Sequence, residues 1–182
     1  MSIQTYGTQQ RAKPRLRVMR GWDPNVPNSL TRRAPIAEGV TVQSGQVVSL
    51  KFQNSQEEFI LGVDSVTDVP FFAVQDSDDF DVIASGGLTG LSCLDNLELQ
   101  TPFFKASPTP SYGSIVPLAA DGVTGDVTTH DGNDARAILG YTSRFNGPVD
   151  IRAENSGVTP DAQGKCLVLT LQTRFERSGA GV

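Results

Sequence analysis

Cys166-Leu167-Val168-Leu169-Thr170-Leu171-Gln172-Thr173-Arg174-Phe175 is the stretch on which the reading of this chain turns. Leu167, Leu169, Leu171, Thr173 and Phe175 recur at every second position, with Thr170, Gln172, Arg174 and then Glu176 between them. A period of two places alternate side chains on opposite faces of an extended chain, so the segment predicts a half-buried antiparallel strand. Its length suits a strand running through the middle of a sheet or barrel.

Working back from it, the chain breaks into short runs of β-branched and aromatic residues separated by turn residues. They are Val40–Val42, Val47–Phe52, Phe59–Val63, Phe71–Val74, Asp81–Ala84, Leu88–Cys93, Leu97–Phe104, Ile115–Leu118, Ala137–Tyr141 and Val149–Arg152. Gln43-Ser44-Gly45-Gln46 between the first two predicts a tight hairpin turn, with Gly45 where φ is positive. Only Asn54–Phe59 and Asp95–Leu99 carry enough polar helix formers for a helical turn. Of 182 residues, 18 are Gly and 11 are Pro, which argues against a helical bundle. The expected fold is therefore all-β, an antiparallel β-sandwich or barrel, with an extended N-terminal arm. Loops are expected at the surface over Ala106–Gly113, Asp121–Asp134 and Glu154–Gly164.

With 38% hydrophobic and 19% charged residues the chain can build one core. At this length roughly 70% of the extended-chain surface is buried on folding, so metal or disulfide staples are not required. Cys93 and Cys166 stand 73 positions apart and read as buried free thiols on strands. Apolar runs are only a few residues long, as in Val116–Ala120 broken by Pro117, and fall far short of the ~20 residues of a membrane helix. The N-terminus Met1–Gly7 has no apolar signal region, so the product is expected to act where it is made.

Charge is unevenly spread. Residues 1–33 carry seven basic side chains, Arg11, Lys13, Arg15, Arg17, Arg20, Arg32 and Arg33, against Asp23 alone, a formal +6. Residues 34–182 carry eight basic and nineteen acidic side chains, a formal −11. The chain thus divides into an extended basic arm, 1–33, and a β-rich domain, 34–182. A solubilising tail and a nucleic-acid arm are both conceivable, but an acidic body repels a polyanion. The preferred reading is an arm lying on an acidic protein surface. Its guanidinium forks and Trp22 would be the anchors, giving Arg11, Lys13, Arg15, Arg17, Arg20, Trp22, Arg32 and Arg33 as candidate assembly contacts.

Chemistry is hard to find. His130 is the one histidine, and no Gly-x-Ser-x-Gly elbow exists; Gly90-Leu-Ser-Cys-Leu94 fails at its last position. Gly86-Gly-Leu-Thr-Gly90 lacks the Lys and Ser/Thr of a phosphate loop and reads as a strand kink. Asp76-Ser-Asp-Asp-Phe-Asp81 is the densest set of hard oxygen ligands, yet it lacks the Gly and Glu of a calcium loop and reads as a solvated turn. Asp121–Asp126 and Asp131–Asp134 have the same standing. No enzyme, cofactor or metal is expected. Tyr112, Tyr141 and Phe145 are the few aromatics that could serve a carbohydrate-binding or adhesin-like β domain, the alternative function.

At Phe71-Phe-Ala-Val-Gln-Asp-Ser-Asp-Asp-Phe-Asp-Val82, Gly86-Gly-Leu-Thr-Gly-Leu-Ser-Cys93, Glu98-Leu-Gln-Thr-Pro-Phe-Phe104, Ala137-Ile-Leu-Gly-Tyr141 and Gly147-Pro148 the sequence resembles the head decoration, or cement, proteins of tailed bacteriophages. The resemblance covers most of residues 35–175 and leaves the arm unaligned. It implies a small β-rich subunit, made in the host cytoplasm, that sits on the outer capsid surface of the virion. The partners it implies are the major capsid protein and further copies of itself, commonly as a homotrimer bridging adjacent capsomers, with no direct nucleic-acid or membrane contact.

Overall fold

A computed structural model describes residues 16–20, 31–65, 68–92, 97–105, 116–130, 136–142, 149–150 and 165–174. Among them are strands β1 (Arg17–Arg20), β2 (Thr31–Ala34), β3 (Val47–Gln53), β4 (Gln56–Leu61) and β5 (Val69–Ala73), then the helix α1 (Phe80–Ser85). Strands β6 (Leu88–Ser92), β7 (Leu97–Thr101), β8 (Pro117–Ala120), β9 (Val127–Thr129), β10 (Ile138–Thr142), β11 (Val149–Asp150) and β12 (Lys165–Arg174) follow. All ladders between them are antiparallel. One sheet runs β1-β7-β12-β10-β8-β9, with β11 beside β12, and the other runs β2-β6-β5-β3-β4.

The leucine-rich strand takes the central place its pattern predicts. β12 lies between β7 and β10, with Leu169 opposite Leu99 and Leu171 opposite Leu97. Leu167, Leu169 and Leu171 are buried with Leu97, Leu99, Leu118, Val127 and Leu139, and Val47, Phe72 and Leu91 of the second sheet join the same cluster. This is the layer between the two sheets. Each Leu or Phe fully withdrawn from water there contributes about 1.5–3 kcal/mol.

The smaller sheet is apolar on both faces, and the reason is its curvature. Opposite residues in an antiparallel ladder share a face. The registers place Val48, Leu50, Phe59, Leu61, Phe71, Ala73 and Leu88 on the side away from Val47 and Phe72. These residues form a second cluster with Ala34, Val42 and Val82. The sheet rolls until its ends meet: the chain leaving β2 bridges β4 at Ile36 and Phe59, in parallel. Phe59 N–H donates to Pro35 O at 2.8 Å and Ala37 N–H to Phe59 O at 3.0 Å. The second cluster is therefore the interior of a small closed barrel. Gly90 is the one inward position on β6 that must lack a side chain, because a Cβ there would stand 2.7 Å from Phe59 Cζ and 3.0 Å from Phe71 Cβ. Val82 of α1, with Val40 and Val42, plugs one end.

Two turns fasten the barrel to the larger sheet. Gly45 has φ +97°, and its carbonyl accepts from the Thr101 hydroxyl at 2.7 Å while its N–H donates to Ala73 O at 2.7 Å. The turn over residues 121–126 lies against β3 and β4, where Val47 N–H donates to Gly125 O at 2.8 Å. Gly62 approaches this turn so closely that a Cβ would fall 2.3 Å from Asp121 O.

Several expectations are corrected by these elements. The turn at 43–46 forms, with Gln46 N–H on Gln43 O, but residues 40–42 are not a strand; β3 pairs with β4 and β5 instead. Asn54–Phe59 is not helical. Asn54 and Ser55, at φ 49° and 68°, turn β3 into β4, where cross-strand pairing overrides the helical preference of Gln56, Glu57 and Glu58. Leu97–Leu99 is strand, whereas Asp81–Ala84 belongs to α1. There the Asp79 side chain accepts from Asp81 N–H, and Gly86 at φ 68° closes the helix, two caps that outweigh β-branched Val82 and Ile83. β9 lies inside the loop expected over 121–134. The expected loops at 106–113 and 154–164, together with Cys93, lie outside the described residues.

Candidate assembly surface

Of the arm residues named from sequence, Arg11, Lys13, Arg15 and Trp22 lie outside the described residues. Arg17 and Arg20 are in β1, which ends the larger sheet and places Arg20 opposite Glu98 of β7. Leu16, just before β1, is buried in the main core. Arg32 and Arg33 are exposed on β2, an end strand of the smaller sheet in the hydrogen-bonded order. The two described pieces of the basic segment are thus hydrogen-bonded into different sheets, and the boundary drawn before Ala34 falls within β2. The Arg32 guanidinium donates to the Glu57 carboxylate of β4.

That ion pair sits at the barrel end opposite α1. The last inward-facing positions at this end are Arg32 on β2, Glu57 on β4, Phe52 on β3, Val69 on β5 and Ser92 on β6. Phe52 stands directly opposite Glu57 and diagonally from Val69. Phe52 is 75% exposed and Val69 44%. Beneath them lie Leu50 and the edge-to-face pair of Phe59 and Phe71, whose ring centroids are 5.4 Å apart. The sequence does not by itself place Phe52 at a rim, since that position depends on closure of the barrel. The alternation Val48, Leu50, Phe52 was the available signal.

Two other corners carry exposed apolar groups. α1 presents Phe80 and Ile83 to solvent, one helical turn apart. Two of the acids near them have structural duties: Asp79 caps the helix, and Asp76 accepts from Ser44 N–H at 2.7 Å. Val123 tops the turn over 121–126. Below it Asp121 accepts from Val123 N–H, Thr124 N–H and the Thr124 hydroxyl, and pairs with Lys105. The Lys105 ammonium, followed by these donors, holds the Asp121 carboxyl well below the usual carboxylate range against the opposing effect of burial. Asp126 is pushed upward, first by burial and then by the charge of Asp121.

His130 is buried, its Nε2 3.1 Å from Arg136 O, and its own N–H donates to Pro117 O. Among the described residues no group of three or more His, Cys, Asp or Glu side chains converges as a metal site would require. The one described helix has six residues, and no helix among the described residues is long and apolar enough to cross a membrane. Tyr141 lies on β10 opposite Thr170 and Pro117, while Tyr112 and Phe145 fall outside the described residues. What the described surface offers is a set of separated apolar contact points on a β frame, flanked by basic end strands. No protein-family model, curated protein or solved structure matches this chain.

Proposed function

We propose that this chain is a structural subunit of a virus particle, a decoration protein that binds the outer surface of an icosahedral phage capsid and bridges neighbouring capsomers. The observation that carries this reading is the anchoring of the basic segment at two points, β1 in one sheet and β2 in the other. An arm that grips the major capsid protein or a neighbouring copy is then tied by main-chain hydrogen bonds to the whole β frame, and load on it is shared by both sheets. The role is thermodynamic. A ligand that binds the assembled shell and not its dissociated parts stabilises the shell by mass action, and several weak contacts on one rigid body add through effective concentration. It calls for contact area and no reacting group. Copies acting together, as a homotrimer, would multiply the contacts.

The test mixes purified protein with empty shells that lack it and, separately, with a glycan array. Saturable binding to shells, raising their melting temperature, is expected. Glycan binding without shell binding would overturn the proposal in favour of a carbohydrate-binding β domain.

A further inference from the structure

We infer that the open barrel end, Arg32, Phe52, Glu57 and Val69, is the surface through which a second copy of this chain docks. The inference rests on the reading that copies associate, and it names where they meet. Residues 34–182 carry a formal −11 within a chain of −5, so the acidic faces of two copies repel one another. A contact between identical bodies favours ground that is locally neutral or self-complementary. The acidic surroundings of α1 are neither: Asp76, Asp78, Asp79 and Asp81 would face their own kind.

The barrel end is both. From Phe52 to Glu57 the chain reads Phe-Gln-Asn-Ser-Gln-Glu, all exposed, and the Glu57 charge is matched by Arg32. Among the described inward-facing rim residues the two charges therefore cancel. It also holds both members of an ion pair, each about half exposed, so Arg32 of each copy can face Glu57 of the next around a ring. Phe52 supplies the apolar centre that such a contact needs, with Val69 beside it. The patch is much smaller than a standard interface of about 1,600 Å², so the free association is weak and concentration-dependent and gains strength where copies are held side by side.

Sedimentation velocity over a wide concentration range tests the inference on the full chain, with thermal unfolding as the control for folding. Phe52→Glu is expected to weaken self-association at least tenfold. Arg32→Glu makes the rim wholly acidic and Glu57→Arg makes it wholly basic, so each should remain monomeric alone. A mixture of the two should associate, a signature that no loss of stability can imitate. Association of both charge variants at wild-type strength, no association in their mixture, or a wild type that stays monomeric throughout would each overturn the inference. Shell binding is scored on the same proteins. A wild type that self-associates through the rim but ignores shells removes the decoration role alone, and one that binds shells with an association indifferent to the rim removes the rim contact alone.

Discussion

Gly90→Ala and Phe59→Leu, made singly and together, test whether the smaller sheet closes. In the hydrogen-bonded order β4 and β6 are separated by β3 and β5, and at 4.7–4.9 Å per strand a flat sheet would hold them roughly 14 Å apart. In the closed barrel a methyl on Gly90 would meet Phe59 Cζ at 2.7 Å and Phe71 Cβ at 3.0 Å. Phe59 is fully buried and stacked edge-on against Phe71, so neither ring has room to retreat. Overpacking of this kind costs about 1–3 kcal/mol. Gly90 does not occupy the left-handed region, so backbone strain adds nothing. Phe59→Leu removes the atom that the methyl would strike and leaves a void, costing about 1–2 kcal/mol as part of the ~3–5 kcal/mol of a Phe→Ala change. The double variant should be less destabilised than the two singles combined by about 1 kcal/mol, because the new methyl enters the space the ring has left. Urea unfolding at constant m-value gives the three free energies. Strict additivity, within the ~0.3–0.5 kcal/mol expected of independent sites, would show that the two positions do not meet and that the barrel is wrongly described.

Thr101→Val leaves the Gly45 carbonyl and the Phe103 N–H without the hydroxyl that serves both, at 2.7 and 3.1 Å, and should lower unfolding free energy by about 1–3 kcal/mol in the same urea titration. Ser55→Gly should raise it by about 1 kcal/mol, because Asn54 and Ser55 both have positive φ and the second then relaxes at no cost in contacts. Asp121→Asn should cost about 1.5–3 kcal/mol near neutrality, with a pH dependence of definite sign. The folded carboxyl titrates below its unfolded value, so its contribution is complete above the ordinary carboxylate range and fades as pH falls below it; the gap between the melting curves of variant and wild type should narrow in acid. Asp126, raised by burial, works the other way and regains stability as pH falls, so Asp126→Asn should cost less at neutrality than Asp121→Asn.

What could be read from sequence followed the strength of local periodicity. β12 was legible because five alternate positions repeat one pattern and its neighbours on both sides are leucine-bearing strands. β1 and β2 were not, since Arg17, Arg20, Arg32 and Arg33 mask any alternation and the pairing that orders them is remote, with β7 and β6. α1 was hidden behind Val82 and Ile83, although Asp79 and Gly86, spaced as cap and stop, were there to be found. The fold class was therefore accessible and the edges were not. At the surface, Arg32 and Arg33 could be singled out by charge, while their company could not: Phe52, Glu57 and Val69 are brought to Arg32 only by rolling the sheet.

The fastening of the two sheets bears on how the molecule comes apart. Val47 N–H is held by Gly125 O and Gly45 O by the Thr101 hydroxyl, both across the junction, while Gly45 N–H and Gly62 N–H are held within the smaller sheet by Ala73 O and Val47 O, so residues 45–47 are tied to both layers at once. Separating the layers exposes the Val47 amide, so its hydrogen exchange should report global unfolding and not local fraying. At this junction the two sheets are therefore expected to yield together rather than one after the other.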